Sequence, residues 1–150
     1  MDLLTHAVLT RKFIDKKPGI VLCGSLAPDL PFYLFYPAWV TGRDKLVDGL
    51  ESNDWPEPPR WMSMLHHVFH SIPAVTLGAI IVRLVAGRWP GKAYAAWLLH
   101  IAVDIPTHSR KQWGPKFLWP FSDFAVDGVS WVEVGGKVIA GFRQRFNNNG

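Results

Sequence analysis

His100 and Asp104 are the pair of residues whose types and spacing most clearly indicate chemistry. Residues four apart lie on one face of an α-helix with Cβ atoms about 5–6 Å apart, so an imidazole and a carboxylate at this spacing can bind one metal ion. Both interrupt an apolar run, where an ionised carboxylate is costly unless it is paired or bound to metal. A hydrogen bond between the two side chains would also satisfy them, and the pair alone leaves both interpretations open.

Three histidines within five positions, His66, His67 and His70, form a second candidate cluster. Adjacent residues of a helix point about 100° apart, so we expect only one of His66 and His67 to share a face with His70. A single histidine in an apolar helix is usually a core residue with a satisfied ring, but three so close together are harder to explain in that way. Because histidine is also the commonest metal ligand, the cluster predicts a metal site.

Asp29 lies between Pro28 and Pro31 in an apolar segment, and the prolines favour a stiff, non-helical backbone around it. Such a carboxylate suits a fixed metal ligand, and it also suits a helix N-cap, which is the commoner use of Asp beside proline. His6, near the start of the chain, adds an imidazole that indicates little by itself. The candidate metal ligands are therefore His6, Asp29, His66, His67, His70, His100 and Asp104.

Neutral imidazoles combined with carboxylates suit a divalent metal cofactor, with Zn²⁺ as the first choice and Mn²⁺ or Fe²⁺ as alternatives. A catalytic zinc keeps a position open for water and lowers the pKa of that water to about 7. His108, which follows Pro106 at the end of the His100 segment, is the candidate catalytic acid or base, or alternatively a substrate contact. Arg110 and Lys111 are candidate contacts for a substrate phosphate.

Helical patterns supply the elements that must position these residues. The first runs from Leu3 towards Ile14, the second from Arg60 to Gly87 with a kink or boundary at Pro73, and the third from about Lys92 to Ile105. We expect Pro106 to end the third helix, because proline removes a helical hydrogen bond and clashes with the preceding turn.

Prolines and polar residues divide the remaining sequence. Three prolines within residues 20–40 forbid a continuous helix, so we expect a short helix, a rigid turn and another apolar piece. Residues 41–60 are polar enough to form a surface loop, 113–124 should form an ordered irregular loop, and 138–146 could form a last helix. We predict one all-α domain over residues 1–146, a compact bundle of about four to six helices with proline-rich loops, followed by a disordered tail at 147–150.

The composition favours association with a membrane. Hydrophobic residues make up 49% of the chain and charged residues only 19%, whereas about a quarter of residues are charged in ordinary soluble domains. The apolar stretches 72–82 and 93–103 are each shorter than the ~20 residues that span a bilayer. Extending the first back through Met62 would give a span that carries three histidines and Arg83. We predict a location at the cytoplasmic (inner) membrane.

Charge pattern, cysteine content and the first residues exclude other classes. The formal net charge is +4, but the basic residues form no stripe with interleaved aromatics, so we expect no nucleic-acid partner. A single cysteine, Cys23, excludes an internal disulfide and a CxxC metal knuckle. Asp2 and His6 stand where a signal peptide would be apolar, so we expect no cleavable signal peptide.

Short motifs in a fixed order give a resemblance to a known family. They are Thr5-His6, Pro28-Asp29, His70-Ser71, and His100-x-x-x-Asp104 followed by Phe117-Leu-Trp-Pro-Phe-Ser122. Together they resemble the bacterial and archaeal family of membrane-bound metal-dependent hydrolases, which is itself similar to the zinc-dependent phospholipase C-like proteins. The resemblance spans roughly residues 3–124 and implies an all-α fold with a metal centre built from the histidines and aspartates named above.

Two positions depart from the pattern of that family. Pro31 stands where members commonly carry a second acidic residue, which removes one carboxylate. His66-His67-Val-Phe replaces the usual His-Arg-Gly sequence before the later histidine motif. We expect a metal-dependent hydrolase that acts at a membrane on a phosphodiester or ester bond of a phosphate-containing or lipid substrate, such as a phospholipid. The alternatives are a small membrane-associated protein with a closed, structural metal site, and a soluble helical domain whose histidines lie only in its core.

Overall fold

Helices dominate the computed structural model, which describes residues 3–41, 57–110, 113–130 and 134. These residues form six α-helices and no strand, so the prediction of a compact all-α fold is confirmed. The helices are α1 (Leu3–Phe13), α2 (Pro18–Ser25), α3 (Leu30–Thr41), α4 (Arg60–Phe69), α5 (Ile72–Ala86) and α6 (Gly91–Thr107). Most of the predicted loop at 41–60, the predicted helix at 138–146 and the tail at 147–150 lie outside the described residues.

The helix boundaries follow proline, capping and glycine chemistry. Helix α2 begins at Pro18, where the missing N–H would have no helical partner in any case. The predicted boundary near Pro73 lies at His70-Ser71: the Ser71 hydroxyl accepts a hydrogen bond from Ala74 N at 3.1 Å and caps α5, with proline in its first turn. Helix α5 ends at Gly87, whose φ of 69° is the left-handed conformation that glycine adopts readily.

The prediction that the third helix ends at Ile105, before Pro106, is wrong by two residues. Helix α6 continues through Pro106 to Thr107. A proline in the last turn costs the helix little, because only one backbone hydrogen bond is lost and no further turns have to follow. Residues 113–124 form turns and irregular structure, as the sequence predicts.

Helix α6 lies at the centre of the fold, where it packs against α1, α2 and α5, while α3 packs against α4. Gly24 of α2 permits the closest of these approaches. A Cβ atom at Gly24 would lie 2.6 Å from Thr10 Oγ1 and 2.7 Å from Ala96 Cβ, both of which are too close for real atoms. Three helices therefore meet at a position that only glycine can occupy without displacement of its neighbours.

Polar side chains are unusually frequent among the buried residues. The apolar core between α3 and α4 is small and centres on Tyr36, Val40 and Met62. The centre of the α1, α2 and α6 packing instead buries imidazoles and a carboxylate, and a carboxylate is almost never fully buried in proteins unless it is paired. Large apolar side chains of α5 are exposed, with Leu84 at 77% and Val85 at 84%.

No single helix in the described part of the chain is long and apolar enough to cross a membrane. Two bent pairs reach the required length and composition together: α2 with α3, bent by 53°, and α4 with α5, bent by 67°. The extension of the α5 stretch back through Met62 is therefore broken at His70-Ser71, and the two pairs give only weak support for membrane association.

Candidate metal centre

Four separate parts of the fold bring ligand-type side chains to one point. Helix α1 contributes His6, the turn between α2 and α3 contributes Asp29, the end of α4 contributes His70, and α6 contributes both His100 and Asp104. The three imidazoles and Asp104 are buried, and Asp29 is partly buried. The structure therefore brings together five of the seven predicted ligands at the centre of the packing.

Three of these groups form a nearly equilateral triangle. His100 Nε2 lies 3.1 Å from Asp104 Oδ2 and 3.3 Å from His70 Nε2, and His70 Nε2 lies 3.5 Å from Asp104 Oδ2. Ligands at zinc distances of about 2.0–2.2 Å in a tetrahedron are roughly 3.3–3.6 Å apart. The triangle thus has the dimensions of one face of a tetrahedral metal site.

Asp29 and His6 lie on either side of that triangle. Asp29 Oδ1 is 3.1 Å from His70 Nε2, and Asp29 Oδ2 is 3.5 Å from His100 Nε2, so this carboxylate can supply a fourth ligand. His6 Nε2 is 3.0 Å from Asp104 Oδ1, and its ring stacks on that of His100 with centroids 3.8 Å apart.

Backbone carbonyls fix which nitrogen of two imidazoles faces the centre. The Nδ1–H of His100 donates to the carbonyl of Gly24, and that of His70 donates to the carbonyl of His66, each at 3.0 Å. A carbonyl can only accept, so in the neutral rings both Nε2 atoms present lone pairs, at 3.3 Å from each other and beside two carboxylates. Metal-bound histidines are commonly oriented by such contacts, and this donor set requires a cation or a proton at its centre.

The pKa shifts show how strongly the cluster attracts positive charge. Burial lowers the pKa of His70, but hydrogen bonds to Asp104 and Asp29 outweigh burial and raise the pKa to about 9. Burial raises the pKa values of both carboxyl groups, yet their hydrogen bonds to the imidazoles hold these pKa values far below the usual range. The pKa of His100 is also raised, because its hydrogen bonds to the two aspartates outweigh burial.

His66 and His67 have different surroundings. The His66 ring stacks on His70 with centroids 4.1 Å apart, and His66, His70 and Asp29 form a second group with metal-ligand spacing. Among the described residues, neither group with such spacing contains His67, whose buried Nδ1 has no hydrogen-bond partner there. The two groups share Asp29.

His108 lies beside the cluster. Its Nδ1 donates to the backbone carbonyl of Asp104 at 3.2 Å and is 3.5 Å from Asp104 Oδ1. Burial lowers the pKa of His108, an effect that the neighbouring carboxylate only partly offsets. At neutral pH the ring is therefore uncharged, with its lone pair on Nε2.

A cavity of about 470 Å³ adjoins the cluster on the His66 side. Arg110 lines this cavity; its Nε donates to the Ala125 carbonyl at 2.6 Å, and its guanidinium lies over the Phe124 ring. Lys111 lies outside the described residues. Sequence reasoning missed Lys116, which also lines the cavity. It also missed Gly24, for which the available signal was a pair of small residues, Gly24 and Ser25, in an apolar helical segment.

Comparison with known proteins gives no match, whether to a protein-family profile, to a curated protein or to a solved structure. The resemblance to membrane-bound metal-dependent hydrolases therefore stays a prediction, and the geometry of this chain has to support any function by itself.

Proposed function

We propose that this chain is a metal-dependent hydrolase of phosphodiester or ester bonds, with zinc as the first choice of ion. The observation that supports the proposal most is the triangle of His70 Nε2, His100 Nε2 and Asp104 Oδ2, with sides of 3.1–3.5 Å and both imidazoles held in one tautomer. Two lone pairs facing two carboxylates in a buried space repel one another unless a cation or a proton lies between them.

The chain's own residues have distinct roles in this proposal. His70, His100, Asp104 and Asp29 would hold the ion, which when bound would supply Lewis acidity and lower the pKa of a bound water towards 7. His6, beside Asp104, and His66, grouped with His70 and Asp29, would extend the ligand set. His108, uncharged and with its Nδ1–H on the Asp104 carbonyl, accepts a proton at Nε2 and returns it to the leaving group.

A location at a membrane surface is part of the proposal. The exposed residues Leu77, Ile81, Leu84 and Val85 of α5 recur at helical spacing and form an apolar stripe. Large exposed apolar surfaces mark contact with lipid or with other proteins. The lipid interpretation would bring an amphipathic substrate, such as a phospholipid, to the same molecule that carries the ion, at the cytoplasmic membrane.

A closed, structural metal site is the second candidate function, and one observation favours it. His6, Asp29, His100 and Asp104 can place four ligand atoms within 4.8 Å of one another, which is enough for a tetrahedron without water. The cavity beside His66 favours the hydrolase instead, because it gives a substrate access to the second ligand group.

Metal content and hydrolysis measured on the same protein test the proposal. We expect purified protein to contain zinc near stoichiometry, and Asp104→Ala and His70→Ala to lose it. The control is Asp15→Asn, since Asp15 is a carboxylate that pairs with Lys92 at the surface. The metal-loaded protein should hydrolyse bis(4-nitrophenyl) phosphate, and the two metal-site variants should not. Stoichiometric zinc without hydrolysis would favour the structural site, and a metal-free protein would contradict both candidates.

A further inference from the structure

The cavity beside the metal centre combines cationic and aromatic walls. Lys116 and Arg110 contribute the cations, Phe32 and Trp113 contribute aromatic rings, and the carboxylates of Glu57 and Asp123 also line the cavity. A volume of about 470 Å³ suits a small molecule or a headgroup, since small-molecule pockets typically span about 300–1,000 Å³. The cavity is therefore sized for a compact ligand with an anionic part and an apolar part.

The aromatic wall is held firmly in place. The Trp113 ring packs edge-on against Phe32, with centroids 4.7 Å apart, and against Tyr36 at 5.2 Å. Trp113 also has a φ of 58°, a left-handed conformation that is strained for a bulky residue. Strain of this kind persists only where surrounding contacts enforce it, and it is concentrated at ligand-binding sites.

The cationic wall contains an ion pair that a ligand can rearrange. Lys116 Nζ lies 2.7 Å from Asp123 Oδ1, and both side chains line the cavity. The Asp123 side chain is 83% exposed and that of Lys116 is 32% exposed, so solvent screens the ion pair. Lys116 can therefore leave Asp123 and pair with the anionic group of a ligand at little cost in free energy.

His66 and His67 connect the cavity to the metal centre. Both line the cavity, and His66 also belongs to the ligand group with Asp29 and His70. The buried Nδ1 of His67, unpartnered among the described residues, is a polar atom that a ligand can satisfy. An anionic group in the cavity would thus touch the cationic wall and the metal group together.

We propose that this cavity binds the phosphoryl group of the substrate, with Lys116 and Arg110 holding phosphate oxygens and with Trp113 and Phe32 packing against the apolar part. The inference rests on the proposed hydrolase function, since the phosphate ester bond to be cleaved must reach the ligand group of His66, His70 and Asp29. It adds the substrate class, a small phosphate ester, and it makes Lys116 and Trp113 binding residues.

Binding of phenylphosphonate, whose C–P bond resists hydrolysis, tests the cavity independently of turnover. We expect zinc-loaded protein to bind it in isothermal titration calorimetry, and Lys116→Met to weaken the dissociation constant roughly five- to tenfold with unchanged zinc content. Lys116→Arg should restore binding. The matched control is Lys92→Met, because Lys92 also pairs with an aspartate, Asp15, but lies outside the cavity lining.

Asp123→Asn separates ligand binding from a mere loss of stability. This substitution breaks the same ion pair as Lys116→Met, yet it frees the lysine and removes a repelling carboxylate, so it should tighten phenylphosphonate binding about two- to threefold. If both variants weaken binding equally, or if neither changes it, the cavity does not bind the phosphoryl group through Lys116.

Competition experiments identify the source of the phosphate. Displacement of phenylphosphonate by dihexanoylphosphatidylcholine but not by glycerophosphocholine would assign the phosphate to a lipid, and the reverse would assign it to a soluble ester. Displacement by neither would overturn the assignment to a phosphate ester. Failure of hydrolysis with intact, Lys116-dependent binding would refute the hydrolase while leaving the binding site in place.

Discussion

Metal binding to this chain should release protons, because the metal-free cluster holds positive charge on His70. The pKa of His70 is raised to about 9, so at pH 7 nearly all metal-free molecules carry that proton. A ligand nitrogen cannot hold a proton and a metal together. Below pH 9 each unit of acidification therefore weakens zinc binding about tenfold, and above pH 9 the effect of this group disappears.

The size of the effect follows from the two pH units between 7 and 9. Displacing one proton from a group of pKa about 9 at pH 7 costs about 3 kcal/mol, or roughly a hundredfold in affinity. The pKa of His100 is also raised, so a proton that the metal displaces from this ring adds to the proton displaced from His70. The two aspartates contribute nothing to this dependence near neutrality, because their lowered pKa values keep them ionised throughout.

Zinc titrations against a competing chelator at several pH values provide the assay, with calorimetry in buffers of different ionisation enthalpy to count protons. We expect at least about one proton released per zinc at pH 7 and therefore a slope of at least about one in log affinity against pH. His67→Gln should keep this slope, since His67 lies outside both ligand groups. Proton-independent binding between about pH 6 and 8 would refute the assignment of His70 as a charged group displaced by metal.

Three further substitutions give distinct expected outcomes. Gly24→Ala should destabilise the fold by about 1–3 kcal/mol in chemical denaturation, because the added Cβ would overlap two neighbours. It should also weaken metal binding, because the Gly24 carbonyl that accepts from His100 would shift. The control Gly78→Ala, with open space around it, should be neutral or stabilising. Ser71→Ala should lower the free energy of unfolding by about 1 kcal/mol, since it removes the cap of α5. Replacing both Leu84 and Val85 with Glu should change stability by less than about 0.5 kcal/mol and abolish flotation with phospholipid vesicles, whereas retained flotation would argue against α5 as the lipid contact.

Helical periodicity and proline positions were enough to predict the helices, because these signals act over a few neighbouring residues. A short helix and a turn precede the next apolar piece, as the prolines predict, but that piece is helix α3, which contains Pro31 in its first turn and Pro37 in its interior. Pro106 misled the prediction because the same residue is tolerated in a last turn and excluded from a helix interior. Whether a proline ends a helix or lies in its last turn depends on the residues that follow the proline.

The residues of the candidate site were named from sequence, but their arrangement was not. The 100° offset between His66 and His67 requires one of them to face His70, yet only the rotation of α4 against α6 decides which. Lys116 gave no signal, because a lone lysine in an aromatic loop looks like any solvated charge. Gly24 contributes through its backbone carbonyl, which a sequence does not distinguish from any other carbonyl.

The ligand-type side chains come from stretches of chain that are far apart, and this has a consequence for how the molecule holds together. His6 and Asp104 are separated by 98 positions, and Asp29 and His70 lie between them. A metal centre built from these side chains would close several long loops at once, as a set of disulfide cross-links does in chains that contain more than one cysteine. In such a molecule the cation would stabilise the tertiary structure in addition to any role in catalysis. Removing it would therefore weaken the packing of α1, α4 and α6 at the same time.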